Sequence, residues 1–252
     1  MQETAAESPT SPFTMTPYTE NCARLCEKAE HVLVGVSPGN GYFNRERLSA
    51  LLRWAGATFA RVDAIVPDAS LVHTYQALGQ SPEKAWSNAR YKSGKTFRRI
   101  SRAWDEIGVP RSEQRIHLLS DFVDQPVYAG LRAQVDRAVD ADPALREVFL
   151  QASRKVLKVY LKEREPTFEQ IDEGKNYLVA EMPFCLDTPT LMGVSSSVAV
   201  YHQQLPMAEV MFDSPHLDVS SRQGHAVARP PADGPGAGID GADDEAAGHV
   251  GV

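Results

Sequence analysis

The sequence predicts a single α/β domain built on a mainly parallel sheet flanked by helices, and three observations carry that expectation. First, the apolar run His31-Val32-Leu33-Val34-Gly35-Val36 ends in the turn sequence Ser37-Pro38-Gly39-Asn40-Gly41, and an amphipathic pattern opens at Asn44. That is strand, tight turn, helix. Second, three more short apolar runs, at 59–66, 115–120 and 198–201, are separated by stretches of helical periodicity. Strands alternating with helices make a parallel sheet. Third, the 252-residue chain shows no internal repeat and no apolar run long enough to span a membrane.

Residues 1–19 are rich in Thr, Ser, Pro and Glu, and residues 214–252 run into a Pro/Gly/Ala/Asp tract from about Arg229. Neither end carries enough apolar surface to offset its ordering entropy, so both are expected to be disordered, with the folded domain at 20–213. Cys22 and Cys26 fall on one helical face and are read as two small half-buried residues. Three cysteines make no disulfide framework, and the N-terminus lacks a basic region followed by an apolar core, so a cytoplasmic protein is expected. After the first strand, Leu48, Leu51 and Leu52 mark a helix with Gly56 as its stop. The strand at 59–66 closes with Pro67-Asp68, and a long basic helix covers 84–107. A third strand follows at 115–120, then helices near 128–140, 144–164 and 166–181, the last ended by Pro183. The run Val198–Tyr201 is the final strand.

The net charge of −7 argues against nucleic acid only on average. From Lys84 to Arg102 there are seven basic residues and no acidic one, while acidic residues gather in the tail at Asp240, Asp243, Asp244 and Glu245. Lys95, Arg98, Arg99 and Arg102 stand at i, i+3, i+4 and i+7 and share a face, with Arg90 and Lys92 just before them. Such a stripe repels itself, and a phosphate backbone would relieve it. Phe97, Ile100 and Trp104 turn the same helix toward a core. A second basic set, Arg154, Lys155, Lys158 and Lys162, reads equally well as a solvated face.

Three places carry candidate chemistry. Gly35-Val36-Ser37-Pro38-Gly39 spells G-x-S-x-G and puts Ser37 at the C-terminal end of the first strand, where open α/β sheets bind ligands. Ser37 is there either a nucleophile or a turn former. Tyr177 and Glu181, four apart on a helix, bring a phenol and a carboxylate to one face. They form either an exposed pair or a seat for a protonated amine. Tyr201-His202 ends the last strand on the same sheet edge as Ser37. No clustered His/Cys pattern calls for a metal, and nothing calls for a cofactor.

Together, G-V-S-P-G-N-x-Y-F near the start, Y-x-x-x-E-x-P in the middle and Y-H after the last strand resemble the cyclodipeptide synthases over about residues 30–212. Asn40 with Tyr201 and His202 looks like the branch with Asn, Tyr and His at these places. The resemblance implies a Rossmann-like domain similar to the catalytic domains of class I tyrosyl- and tryptophanyl-tRNA synthetases. It implies a reaction too: two aminoacyl-tRNAs are consumed and a 2,5-diketopiperazine is released. By the same resemblance Ser37 is acylated, Tyr177 and Glu181 hold the first α-ammonium, Tyr201 assists ring closure, and Asn40 and His202 orient the acyl group. Leu33, Gly35, Leu119, Phe184 and Val200, with Tyr128, are expected around the first side chain, and Arg90, Lys92, Lys95, Arg98, Arg99 and Arg102 along the tRNA. No metal or membrane enters, and the oligomeric state is open. Two other readings remain: a serine esterase using Ser37 and His202, with Asp187 as a third partner, and a non-catalytic RNA-binding Rossmann domain.

Overall fold

The structure is a computed structural model, and it describes residues 13–230. Its centre is a six-stranded sheet in the order β1-β6-β5-β2-β3-β4, formed by β1 (Thr14–Pro17), β2 (His31–Gly35), β3 (Arg61–Val66), β4 (Ile116–Leu118), β5 (Ser197–Tyr201) and β6 (Gln223–Arg229). All pairings are parallel except β1 with β6. The chain lays β3 and β4 on one side of β2, then returns to lay β5 and β6 on the other. The order therefore reverses between β2 and β5, which opens a crevice at their C-terminal ends.

Register assigns each strand residue a face. Val34 pairs with Ala64 and Val200, whereas Leu33 pairs with Asp63 and Ala199. Successive side chains alternate, so these two sets face opposite layers. Every residue of β2 and β5 is buried, as a parallel sheet covered on both faces requires. The first layer contains α1 (Glu20–Lys28), α2 (Arg45–Thr58) and α4 (Pro82–Glu106). On the other face lie α8 (Asn176–Met192), α5 (Pro126–Ala141), α6 (Pro143–Tyr160), α7 (Phe168–Gly174) and α9 (Pro206–Asp213). Packed between α4 and α8 is α3 (Asp68–Ala77).

Local chemistry starts these helices where the sequence offers a cap. Asn44, Ser81 and Asp142 accept backbone N–H groups at the starts of α2, α4 and α6, and Thr167 with Gln170 forms a capping box on α7. Two expected stops fail. The helix at 45–58 runs past Gly56 to Thr58, and Pro183 lies inside α8 instead of ending it. Helix α8 is so thoroughly buried that packing outweighs proline's missing N–H. Its break comes at Asp187 (φ −155°), where Gln223 accepts the Thr188 N–H at 2.9 Å and the Thr188 hydroxyl donates to the Phe184 carbonyl at 2.5 Å.

The expected disorder of 1–19 and 214–252 is corrected at both inner boundaries. Residues 14–17 and 223–229 are strands of the sheet, in register from Thr14–Arg229 to Pro17–Ala226. Each is too short or too broken by Pro and Gly to read as a strand alone, but β6 fills the slot between β5 and β1 and is buried along nearly its whole length. Residues 1–12 and 231–252 lie outside the described residues. Among the described residues, no helix is long and apolar enough to cross a membrane.

Candidate active site

The turn after β2 is built for close approach. Ser37 C=O accepts the Asn40 N–H at 3.3 Å, with Pro38 and Gly39 between them. Gly39 has φ +84°, the third position of a turn that favours glycine, and a Cβ there would lie 2.3 Å from Lys92 Cε. Both the backbone and the neighbour demand glycine. Ser37 itself is not among the positive-φ residues, so the strained elbow of a serine hydrolase is not formed.

Ser37 Oγ lies 3.1 Å from the Tyr201 hydroxyl, across the crevice from β2 to β5. Asn40 Nδ2 donates to the same tyrosine oxygen at 3.2 Å and stands 3.2 Å from His202 Nε2. Asn40 Oδ1 accepts the Tyr42 N–H at 2.9 Å, which fixes the amide's orientation. Ser37, Asn40, Tyr201 and His202 are all buried. Burial first, and then the Arg47 charge, push the His202 imidazole down to about 3. It is a neutral ring bonded to an amide, not a base on Ser37. Asp187 instead bonds Thr190 and Arg222. The esterase constellation expected as an alternative is therefore absent, because the hydroxyl of Tyr201 stands where that base would need to be.

From α8, Tyr177 and Glu181 both reach the interior, so they are not an exposed pair. Glu181 Oε1 accepts from the Ser70 hydroxyl at 3.2 Å. The Tyr177 hydroxyl is buried and makes no well-formed hydrogen bond. Burial, with the neighbouring Glu181 carboxylate second, raises its phenol well above the ordinary value. Ser37 and Glu181 share one small cavity, walled by Gly35, Ile65, Leu119 and Phe184. A second small cavity touches Tyr177 and is lined by Thr74, Ala152, Val156 and Leu178. Nothing in the sequence announced that cavity or Ser70, since their parts come from four helices.

One expected lining residue, Val200, is corrected. Val200 pairs with Val34 and lines space with Phe43 and Leu51, on the α2 side of the sheet. Leu33 shares the face of Gly35 but lies one step deeper and does not line the cavity. The Tyr128 hydroxyl donates to the Ala180 carbonyl at 2.8 Å and holds α8 one residue before Glu181, with its ring centre 6.5 Å from that of Phe184. Gly35, Leu119 and Phe184 line one cavity with Ser37 and Glu181.

The cations of α4 divide. Arg90, Lys95, Arg98 and Arg102 are exposed, with Lys95 Nζ 4.3 Å from the centre of the Tyr91 ring. Lys92 and Arg99 turn inward. Lys92 Nζ donates to the Tyr160 hydroxyl at 2.7 Å, and Arg99 Nη1 donates to the Phe43 carbonyl at 2.9 Å. On α6, Arg154 and Lys158 both pair with Glu165, at 3.2 and 2.7 Å, so one carboxylate offsets part of that face's charge.

A family sequence pattern, that of cyclodipeptide synthase, matches residues 13–230, the whole described domain. The chain belongs to the cyclodipeptide synthase family. It is 34% identical over 224 residues to the cyclo(L-tyrosyl-L-tyrosyl) synthase of Mycobacterium tuberculosis, covering 86% of this chain and 76% of that one. With the cyclo(L-leucyl-L-leucyl) synthase of Bacillus subtilis it shares 30% identity over 202 residues, 78% of this chain and 81% of the other. A solved Mycobacterium tuberculosis structure superposes with a TM-score of 0.74 at 31% identity, over 88% of this chain and 95% of that one. That structure is described as demonstrating that cyclodipeptide synthetases are related to type I tRNA synthetases. Cyclodipeptide synthases are transferases that use aminoacyl-tRNA, so this synthase is an enzyme.

Proposed function

We propose that this synthase joins two aminoacyl groups by a ping-pong reaction through esters on Ser37, using the Asn40, Tyr201 and His202 arrangement. The observation that carries the reading is the Ser37–Tyr201 bond at the crevice between β2 and β5, opening onto the cavity that holds Glu181.

Ser37 Oγ attacks the ester carbonyl of the first aminoacyl-tRNA. The bond to the ribose oxygen breaks, and that oxygen leaves with the serine proton. Glu181 with Tyr177 holds the α-ammonium of the bound residue. The amine of a second aminoacyl-tRNA then attacks the Ser37 ester, giving a dipeptide still esterified to its own tRNA. Transfer back to Ser37 leaves a dipeptidyl ester on the serine. Once the ammonium has given up its extra proton, the amine attacks that ester, closes the six-membered ring and expels Ser37 Oγ, and Tyr201 relays the proton the nitrogen loses to that oxygen and ends protonated as it began. The substrates arrive activated, so holding ester and amine in reacting geometry supplies most of the rate, on the order of 7–11 kcal/mol in favourable cases.

The cavity walls are apolar, and relatives are named for tyrosyl and leucyl products. The first residue is accordingly a hydrophobic or aromatic one. Arg90, Lys95, Arg98 and Arg102 meet the acceptor arm through its phosphates, which positions without reading sequence. No metal or cofactor takes part in these steps. The enzyme works where charged tRNA is found, in the cytoplasm.

Two measurements test this. Culture medium from bacteria expressing the wild type should contain cyclodipeptides whose masses name both residues, and Ser37→Ala should abolish them. Intact-protein mass spectrometry with charged tRNA should show an aminoacyl increment on the wild type alone. Product formation undiminished in Ser37→Ala would defeat the covalent route.

A further inference from the structure

Where β3 and β4 end, a buried carboxyl group ties two walls of the Ser37 cavity together. The parallel ladder between these strands runs as far as Val66 and Leu118. One residue further along each strand stand Pro67 and Leu119, and both line the cavity with Ser37 and Glu181. Pro67 brings no N–H with which to carry the ladder on.

One more residue on, a side chain takes over from the backbone. Asp68 Oδ1 accepts the Ser120 N–H at 2.9 Å, and Oδ2 accepts the Ser120 hydroxyl at 2.7 Å. Oδ1 also accepts the Ala69 N–H at 2.8 Å. Asp68 is 2% exposed. Burying a carboxyl group is costly unless donors meet its oxygens, and here three do. Asp68 opens α3, where an acid ordinarily serves the helix's own first turn. Two of its three bonds instead leave the helix for a residue 52 positions away.

The tie reaches a third wall. The Phe122 N–H donates to the Leu119 carbonyl at 3.0 Å, so Phe122 moves with the turn at Leu119–Asp121. Its ring meets that of Phe184 edge-on, with centres 5.0 Å apart and planes at 89°. Pro67 after β3, Leu119 after β4 and Phe184 on α8 are thus held in one arrangement.

We propose that Asp68 is a positioning residue for substrate choice: its grip on Ser120 fixes where Leu119 stands relative to Pro67, and so which first side chain the cavity accepts. Two bonds from one planar group set the orientation of the turn as well as its distance. A wall carried on an untied turn yields to a side chain of another shape, and discrimination falls.

This inference rests on the proposed seating of the first side chain in that cavity, and the experiment keeps the two apart. Purified enzyme is offered leucyl-tRNA and tyrosyl-tRNA at equal concentration, and the two adducts on Ser37 are read by intact-protein mass spectrometry. A partly unfolded enzyme loses both adducts alike, so only a reshaped wall moves their ratio. Leu119→Ala should change that ratio, and Asp68→Ala should cut discrimination at least about fivefold. Asp68→Asn should restore most of it, because its oxygen still accepts both N–H groups and Ser120 Oγ can accept from its amide. In a Leu119→Ala background, Asp68→Ala should add less than about twofold, since the wall it positions is gone. Should Asp68→Ala not fold, Ser120→Ala removes the 2.7 Å bond alone and should cut discrimination at least about twofold. Wild-type discrimination in Asp68→Ala, or in Ser120→Ala standing in for it, overturns the inference when Leu119→Ala has changed the ratio. A full Asp68→Ala effect in the Leu119→Ala background overturns it too. A ratio that Leu119→Ala leaves untouched counts against the seating of the side chain itself.

Discussion

The inner and outer cations of α4 come from one basic stretch of sequence and do different things. Arg90, Lys95, Arg98 and Arg102 stand in solvent, whereas Lys92 and Arg99 are drawn in against α6 and the loop after β2. The outer row keeps its charge free for a polyanion. The inner pair spends its hydrogen bonds on the protein itself. Helical spacing predicts one face for Lys95, Arg98, Arg99 and Arg102, but Arg99 sits at the edge of that stripe. A long side chain there reaches whichever acceptor is near, and the Phe43 carbonyl is near.

Breaking the inner contact should have the larger effect. Phe43 packs edge-on against His202 at 5.4 Å and beside Tyr201 at 5.8 Å, so Arg99 ties α4 to the loop that shapes the site. Arg99→Glu removes a charge-assisted bond worth about 2 kcal/mol and sets a carboxylate against a carbonyl. We expect at least a hundredfold loss of turnover and a fall in Tm of roughly 4–8 °C, read by product mass spectrometry and thermal unfolding. A variant that lost activity with an unchanged Tm would place Arg99 with the outer row. The sequence alone suggests that reversing Arg98 and Arg99 together leaves the fold intact. The structure corrects that for Arg99, because its guanidinium is part of the loop's support.

The outer row answers differently. Arg98→Glu with Arg102→Glu should leave Tm within about 1 °C, because neither side chain is buried. The double variant should raise KM for aminoacyl-tRNA at least about tenfold. It should also flatten the dependence of log binding on log salt by roughly two contacts' worth, each contributing a slope near 0.7–0.9. Binding assays across a salt series read this directly. A salt slope equal to the wild type's would remove tRNA from this face.

The same contrast explains what the sequence reveals of the site. Ser37, Asn40, Tyr201 and His202 are legible because strand ends and tight turns fix where short side chains go, and the parallel sheet brings two distant strand ends to one edge. Gly35, Leu119 and Phe184 are legible for similar reasons. Val200 was open to correction from alternation alone: it adjoins Tyr201 on a strand, so it faces the other layer if Tyr201 faces the crevice. Ser70 is not legible. Its place depends on which neighbour the folded chain sets beside it, and that neighbour is Glu181, 111 residues away in sequence. Strands β1 and β6 are not legible because their stability comes from the sheet they complete and not from their own residues.

Lys92 gives the finest test of the division, with the smallest expected effect. Its ammonium bonds the Tyr160 hydroxyl, and its stem lies under Gly39. Burial lowers the lysine from its ordinary value and raises Tyr160 to about 12, so both groups stay neutral or singly charged at a cost in solvation. Lys92→Met retains the stem against Gly39 and removes a poorly solvated charge. Lost bond and relieved desolvation oppose each other, so stability should change by less than about 1 kcal/mol in denaturant titration. If Lys92 belongs to the inner pair, KM for aminoacyl-tRNA and its salt slope stay at wild-type values. A slope lowered by about one contact would show the ammonium leaving Tyr160 for a phosphate when tRNA binds, and the two rows would then be one surface caught in its unoccupied arrangement.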